Sequence, residues 1–139
     1  SGPNLMQDKA VSKPVGLIDI YPTLVDLCSL PEKNGLDGIS LRPLLTRVDA
    51  VWERATITTF GPNNHSIRSE HWRYTRYDDG SEELYDHRKD QHERFNLAAN
   101  AEHRDLIRDL SRWIPEHNAA IPPGSNGSGT PLYKEFENR

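Results

Sequence analysis

Residues 72–85 read Trp72-Arg73-Tyr74-Thr75-Arg76-Tyr77-Asp78-Asp79-Gly80-Ser81-Glu82-Glu83-Leu84-Tyr85. An aromatic-rich run leads into Asp79-Gly80, a dipeptide suited to a tight hairpin because glycine accepts the positive φ such turns require. Glu82–Tyr85 then pairs back. Side chains alternate along a strand, so Trp72 and Tyr74 share one face while Tyr77 points oppositely. This stretch predicts an antiparallel hairpin and anchors the rest of the chain.

Upstream, His65–Glu70 alternates, with Ile67 opposite Ser66 and Arg68, and Ala55–Phe60 is short and β-branched, as strands are. Gly61-Pro62-Asn63-Asn64 is loop chemistry between them. Downstream, Asp90-Gln91-His92-Glu93 resembles a capped single turn. A helix is then predicted over 101–117. Asn100 is its cap, and Leu106, Leu110, Trp113, Ile114 and His117 lie on one face that packs on the sheet.

The N-terminal part reads differently. Residues 1–14 form a polar arm. A helix is predicted at about 19–29, capped by Asp19 and buried through Ile20, Leu24, Leu27 and Cys28. Pro22 fits its first turn, and Pro31 ends it. Gly35-Leu36-Asp37-Gly38 is a turn, after which Ser40 caps a short helix over 41–45, and residues 47–53 form a charged connector. The predicted class is α+β, with a small antiparallel sheet of three to four strands packed against a C-terminal helix and preceded by a helical segment. The expected division is an arm at 1–14, a helical segment at 15–54, a sheet-plus-helix subdomain at 55–118 and a flexible tail at 119–139.

Composition narrows the functions. Hydrophobic residues are 35% of the 139 and the net charge is −4. Lys and Arg are dispersed, without the basic block that nucleic-acid backbones demand, and no apolar stretch approaches a membrane span. Neutral, anionic and carbohydrate ligands stay open. Cys28 is the single cysteine, so neither an internal disulfide nor a thiolate metal cage is available. No nucleophile elbow, phosphate loop or zinc motif is present. His87 and His92 stand five apart in what reads as solvated loop. Glu82-Glu83 with Asp78-Asp79 lacks the ligand period of a calcium loop. The chain carries no assignable catalytic or metal-binding residue.

The order of several motifs carries a resemblance. Asp19-Ile20-Tyr21-Pro22-Thr23-Leu24-Val25-Asp26-Leu27 and Leu36-Asp37-Gly38-Ile39-Ser40-Leu41-Arg42-Pro43-Leu44-Leu45 look like a helix-and-loop passage of sulfatases. His65–Tyr74 resembles their Ile-Arg and Arg-Tyr strand pair. Glu83-Leu84-Tyr85-Asp86, Asp90-Gln91-His92-Glu93 and Asn96-Leu97-Ala98 resemble their closing passage. The matches run in family order from residue 15 to about 117, and the Ser-Ile-Arg and Arg-Tyr-Thr wording points to the iduronate-2-sulfatase-like branch. Ile39, Cys28-Ser29 and Gln91 depart from the family pattern at structural joints.

The resemblance implies the C-terminal portion of a sulfatase, with its helical segment belonging to a larger alkaline-phosphatase-like α/β domain. Calcium and formylglycine are expected in the parent enzyme and not in this chain, since Cys28-Ser29-Leu30-Pro31-Glu32 does not match the formylglycine signature. The isolated chain is expected to be inactive. The implied partners are the N-terminal catalytic domain of the same protein and a sulfated carbohydrate substrate. The fragment is open to self-association, and a periplasmic, secreted or lysosomal location is implied. His65 and Arg68, flanking the 61–64 loop, are the candidate substrate-binding residues, because loops placed by a rigid scaffold carry binding groups. The plainer reading has Arg68 pairing with a carboxylate and His65 closing a strand. Asn63 and Asn64 are ordinary turn residues. Trp72, Tyr74 and Tyr77 offer a sugar-stacking platform or, more simply, pack between sheet and helix with Trp113. The competing function is an autonomous carbohydrate-binding or interaction module.

Overall fold

A computed structural model describes residues 4–118. The chain turns at Asp79-Gly80 as expected, with Gly80 at φ +82°. Four strands, β1 (Thr56–Thr59), β2 (His65–Arg68), β3 (Trp72–Arg76) and β4 (Glu82–Asp86), form an antiparallel sheet in sequential order. In β3 and β4, Trp72 stands opposite Asp86, Tyr74 opposite Leu84 and Arg76 opposite Glu82. Contacts divide the chain into two units. Among the described residues, one comprises residues 4–56 with Arg68–Glu70, and the other comprises Ile57–Ile67 and residues 71–118.

In the second unit, Ile67, Tyr74 and Leu84 are fully or almost fully buried at the centre of the sheet. Burial of such side chains contributes ~1.5–3 kcal/mol each. A 3-10 turn (Ala101–His103) leads into a helix, Arg104–Ser111, that lies against β3 and buries Leu110; Ile114, just beyond it, is buried as well. This helix stops six residues short of the predicted 117. Trp113 and Ile114 donate to the carbonyls of Leu110 and Ser111, closing the end with tight three-residue bonds. Pro115 disfavours helical backbone at Ile114, a signal absent from the periodicity. Asn100 enters the turn through its carbonyl, which accepts from His103 N–H, and not through its side chain.

The outer edge of β4 does not lie bare. Leu97 N–H donates to the Leu84 carbonyl (2.8 Å), and the Asn96 side chain accepts from Leu84 N–H (3.0 Å) and donates to the Glu82 carbonyl (3.0 Å). Asn96 thus supplies with one amide the donor and acceptor a fifth strand would bring, which blunts an edge otherwise open to pairing. The Asp90–Glu93 segment turns as expected, Glu93 N–H donating to the Asp90 carbonyl (3.4 Å), but Glu93 does not cap it in return. Asp90 Oδ2 accepts from Arg94 and Phe95 N–H, while Glu93, at φ +54°, sends its carboxylate elsewhere.

In the first unit, a 3-10 turn (Leu17–Asp19) precedes α1 (Ile20–Leu27), and α2 spans Arg42–Thr46. Asp19 holds the N-cap position of α1, but its side chain makes no cap bond to that helix. Its buried carboxylate accepts from Gly16 N–H (2.9 Å) and from Ile39 N–H (3.0 Å). One turn on, Thr23 Oγ1 accepts from Leu41 N–H (2.8 Å). Asp26 accepts from Ser40 Oγ (2.6 Å) and Arg42 Nη1 (2.7 Å), and these bonds hold its pKa below the usual carboxylate range. Ser40 Oγ in turn accepts from Arg42 N–H, doing the predicted capping from one position further back. Gly38 lies so close beneath the Leu17–Asp19 turn that a Cβ there would stand 2.1 Å from the Ile18 carbonyl oxygen.

These bonds fix which side of α1 faces inward. Asp19, Thr23 and Asp26 are turned to the 38–42 loop, and Val25 is buried. The stripe predicted to be buried is instead turned out. Ile20 is 49% exposed, Leu24 53% and Leu27 37%, with Leu17 and Tyr21 also exposed beside them and Cys28 exposed at the end. The helical period was read correctly and its sense was inverted, because the inner face is satisfied by hydrogen bonds to backbone amides and not by apolar contact. Residues 4–14 carry no helix or strand, and Met6 N–H donates to the Leu45 carbonyl while Lys13 pairs with Glu70 at 2.7 Å. The tail at 119–139 lies outside the described residues.

Candidate functional site

His65 opens β2 after a loop that returns Phe60 N–H to the Asn64 carbonyl (3.0 Å). Asn63 takes φ +60°, and its amide donates to Asp78 Oδ1 (2.7 Å), so the loop is fixed against the β3–β4 turn. His65 is 2% exposed, and its Nδ1 lies 2.9 Å from Thr59 Oγ1 across the β1–β2 hairpin. Arg68, the last residue of β2, is half-buried. Two residues of one strand thus sit in different settings: His65 beneath the hairpin, Arg68 at its far end.

The same sheet carries a polar cluster that pattern reading missed. Arg73 Nη1 donates to both oxygens of Glu93 (2.9 Å each), and Arg73 Nε donates to Ser66 Oγ (3.1 Å). His87 Nε2 meets Glu93 Oε1 at 2.6 Å. Burial opposes ionisation of Glu93, but the Arg73 and His87 bonds outweigh it and its pKa falls. Opposite Arg73 in the register stands Tyr85, and opposite Thr75 stands Glu83. Burial and hydrogen bonds to Glu83 raise the pKa values of both Tyr77 and Tyr85. The legible signal was period two: Arg73, Thr75 and Tyr77 alternate with the apolar face, and a charge on a strand interior demands a partner.

On the other face, Trp72 meets His103 edge-on at 5.4 Å, and the Arg88 guanidinium lies 5.3 Å over the Trp72 ring. Buried Asp86 holds Arg88 through Nε and Nη2, both at 2.8 Å, which lowers the Asp86 pKa. Tyr74 is buried with its hydroxyl donating to Glu82. The aromatic side chains considered as a sugar platform are therefore largely engaged within the unit.

The acidic groups at the hairpin tip do not converge. Glu82 serves Tyr74, Asp78 serves Asn63, and Asp79 accepts from Ser81 N–H and Oγ. Among the described residues no group of three or more His, Cys, Asp or Glu side chains could hold a metal ion, so these residues do not fit the calcium of the resemblance. What they do within the chain is position its turns by hydrogen bonds.

Known proteins give the arrangement its family. No protein-family model matches the chain. A protein named Sulfatase from Formosa agariphila is 34% identical over 139 residues, covering 100% of this chain and 27% of that protein. A Delta 4,5-hexuronate-2-O-sulfatase from Bacteroides thetaiotaomicron is 36% identical over 134 residues, covering 78% and 27%. This chain belongs to the sulfatase family. It aligns with the C-terminal part of these sulfatases and spans about a quarter of their length. Among solved structures, a 2-O GAG sulfatase superposes with a TM-score of 0.61 at 30% identity, covering 81% of this chain and 28% of that one. The phosphonate monoester hydrolase of Agrobacterium radiobacter superposes at 0.54 with 27% identity, covering 68% and 23%, so the fold extends beyond sulfatases. The sulfatase motifs now have physical content. Asp19 and Thr23 grip the Gly38–Leu41 loop, Asp86 clamps the turn after β4, and Asn96 closes its edge.

Proposed function

We propose that this chain is the C-terminal part of an enzyme that hydrolyses sulfate esters of a sulfated sugar or uronic-acid-containing polysaccharide. It shapes one side of the substrate cleft and leaves the nucleophile, with its calcium and formylglycine, to the remainder of the protein. The observation that carries this reading is the inverted α1. A helix that satisfies its polar face internally and presents Ile20, Leu24 and Leu27 outward is built to be covered by something else. The sulfatases it resembles have the additional length to cover it. The hexuronate-2-O-sulfatase relative favours a uronic-acid substrate and supports the iduronate-2-sulfatase-like branch only loosely.

Within the cleft wall, Arg68 is the proposed contact to a sugar carboxylate or sulfate, since a guanidinium offers a planar fork to either group. His65 is a positioning residue, holding the hairpin through Thr59. An exported compartment suits such a substrate. In isolation, the outward face of α1 is open to a second copy of the chain.

The test compares the 139-residue chain with the longer polypeptide that contains it, on an aryl sulfate and on a 2-O-sulfated uronic-acid disaccharide. The chain alone should match the blank. The longer protein should release sulfate, and its Arg68→Ala variant should show a raised KM on the disaccharide with the aryl sulfate unaffected. Sulfate release by the chain alone overturns the reading, and tight sugar binding by it would favour an autonomous carbohydrate module.

A further inference from the structure

We infer that Asn34 is a site of spontaneous covalent modification, losing its side-chain amide to become aspartate and isoaspartate. The reaction needs three things: an Asn side chain free to swing, a following residue without a Cβ to obstruct it, and a backbone N–H not already committed. Asn34-Gly35 meets all three. Both residues are exposed. Neither the Asn34 amide nor the Gly35 N–H has a hydrogen-bond partner among the described residues. No atom lies within 4 Å of where a Gly35 Cβ would stand, and its φ of +77° is a conformation glycine adopts without strain.

The steps balance without a cofactor. The Gly35 backbone nitrogen, deprotonated by base, attacks Cγ of Asn34, and the C–N bond to the side-chain amide breaks with release of ammonia. Water then opens the resulting five-membered imide at either carbonyl, giving aspartate or isoaspartate.

The other Xaa-Gly pairs of this chemistry show why the site is selective. Gly38, after Asp37, is buried and wedged against the Ile18 carbonyl. Gly80, after Asp79, donates its N–H to the Tyr77 carbonyl (3.0 Å), and Asp79 Oδ1 is held by Ser81. Asn126-Gly127 lies outside the described residues.

The product has a local consequence. A new carboxylate would stand next to Lys33, whose ammonium lies 5.8 Å from the centre of the Tyr21 ring at the margin of the outward α1 face. The Asn34 loop also borders a cavity of about 580 Å³ lined by Asp26, Lys33, Ser40 and Arg42. Conversion therefore alters charge beside Lys33 and at the edge of this cavity, and the inference stands whether or not the sulfatase reading holds.

The experiment incubates the purified chain at neutral and mildly alkaline pH and follows it by isoelectric focusing and peptide mapping, with an isoaspartate methyltransferase as a second readout. The expected result is an acidic species gaining one negative charge, traced to the Asn34 peptide and containing isoaspartate. It should form faster as pH rises and be absent from that peptide in Asn34→Gln, whose longer side chain closes the ring poorly. An Asn34 peptide that stays unchanged while an unstructured Asn-Gly reference peptide converts in the same tube overturns the inference. So does acidic product confined to Asn126.

Discussion

Replacing Ile20, Leu24 and Leu27 together with Gln tests the inverted helix directly. Gln keeps helix propensity close to that of Leu, so α1 itself should survive. These side chains are 49%, 53% and 37% exposed, so roughly half of each remains to be buried by a partner. Full burial of such a side chain is worth about 2 kcal/mol, so about 1 kcal/mol each, or about 3 kcal/mol in all, is available to association. At 1.4 kcal/mol per tenfold, the triple variant should weaken association through this face by roughly a hundredfold. The assay is sedimentation velocity over a wide concentration range, applied to the chain alone and to a mixture with the separately produced remainder of the parent. Circular dichroism alongside checks that the fold is intact. An unchanged association constant would refute the reasoning. A variant that loses its helical signal would refute it differently, by showing that the stripe is needed within the chain.

Gly38→Ala should destabilise far more than Gly80→Ala, because its Cβ would meet the Ile18 carbonyl at 2.1 Å, whereas Gly80 has open space and pays only for its positive φ, about 1–2 kcal/mol; urea midpoints rank the two. Asn96→Ala should cost about 2 kcal/mol, since it strips an acceptor and a donor from the β4 edge, and should speed hydrogen exchange at the Leu84 amide above that at Tyr74. Acid should unfold the second unit through Asp86 and Glu93. Both carboxyls have lowered pKa values in the fold, so the unfolded chain binds more protons, and the stability they provide is present above the ordinary values of about 4 and drains away as pH falls through the folded ones. Asp86→Asn should lower the urea midpoint at pH 7 and flatten its loss between pH 5 and about 2.

The sheet was legible because its determinants are local. Asp79-Gly80 needs only glycine's freedom, and the alternation through Tyr74 and Leu84 reports its own buried face. The C-terminal helix was legible in kind but not in length, since periodicity through Ile114 and His117 hides the effect of Pro115 on the residue before it. Asp19 was read as a cap because it precedes an apolar run. Of its actual partners, Gly16 lies three residues back, while Ile39 belongs to a loop twenty residues away, which no local pattern encodes. The same holds for Glu93: its place in an apparent capping box pointed to its own backbone, while Arg73 and His87 drew it across the sheet. The candidate pair His65 and Arg68 was chosen for proximity to a loop, and sequence gives no measure of how deeply a histidine on a short strand is covered.

The division of labour between the two units follows from where apolar surface is left open. Of the large hydrophobic side chains exposed among the described residues, Val15, Leu17, Ile18, Ile20, Tyr21, Leu24, Leu27, Leu30, Ile39, Val48 and Val51 belong to the first unit, and only Ile57, Phe60 and Phe95 to the second. A sheet unit that closes its own β4 edge with Asn96 and buries Tyr74 and Leu84 has little need of a neighbour. The first unit uses its buried carboxylate, Asp19, to fix a loop and, although Val25 and Leu44 are buried, leaves most of its large apolar side chains exposed. If the proposed neighbour covers this face, it should raise the thermal midpoint of the first unit more than that of the second. Hydrogen exchange at α1 amides, compared between the chain alone and the longer protein, measures that difference. Equal protection of α1 in both would mean that its outward face never mattered.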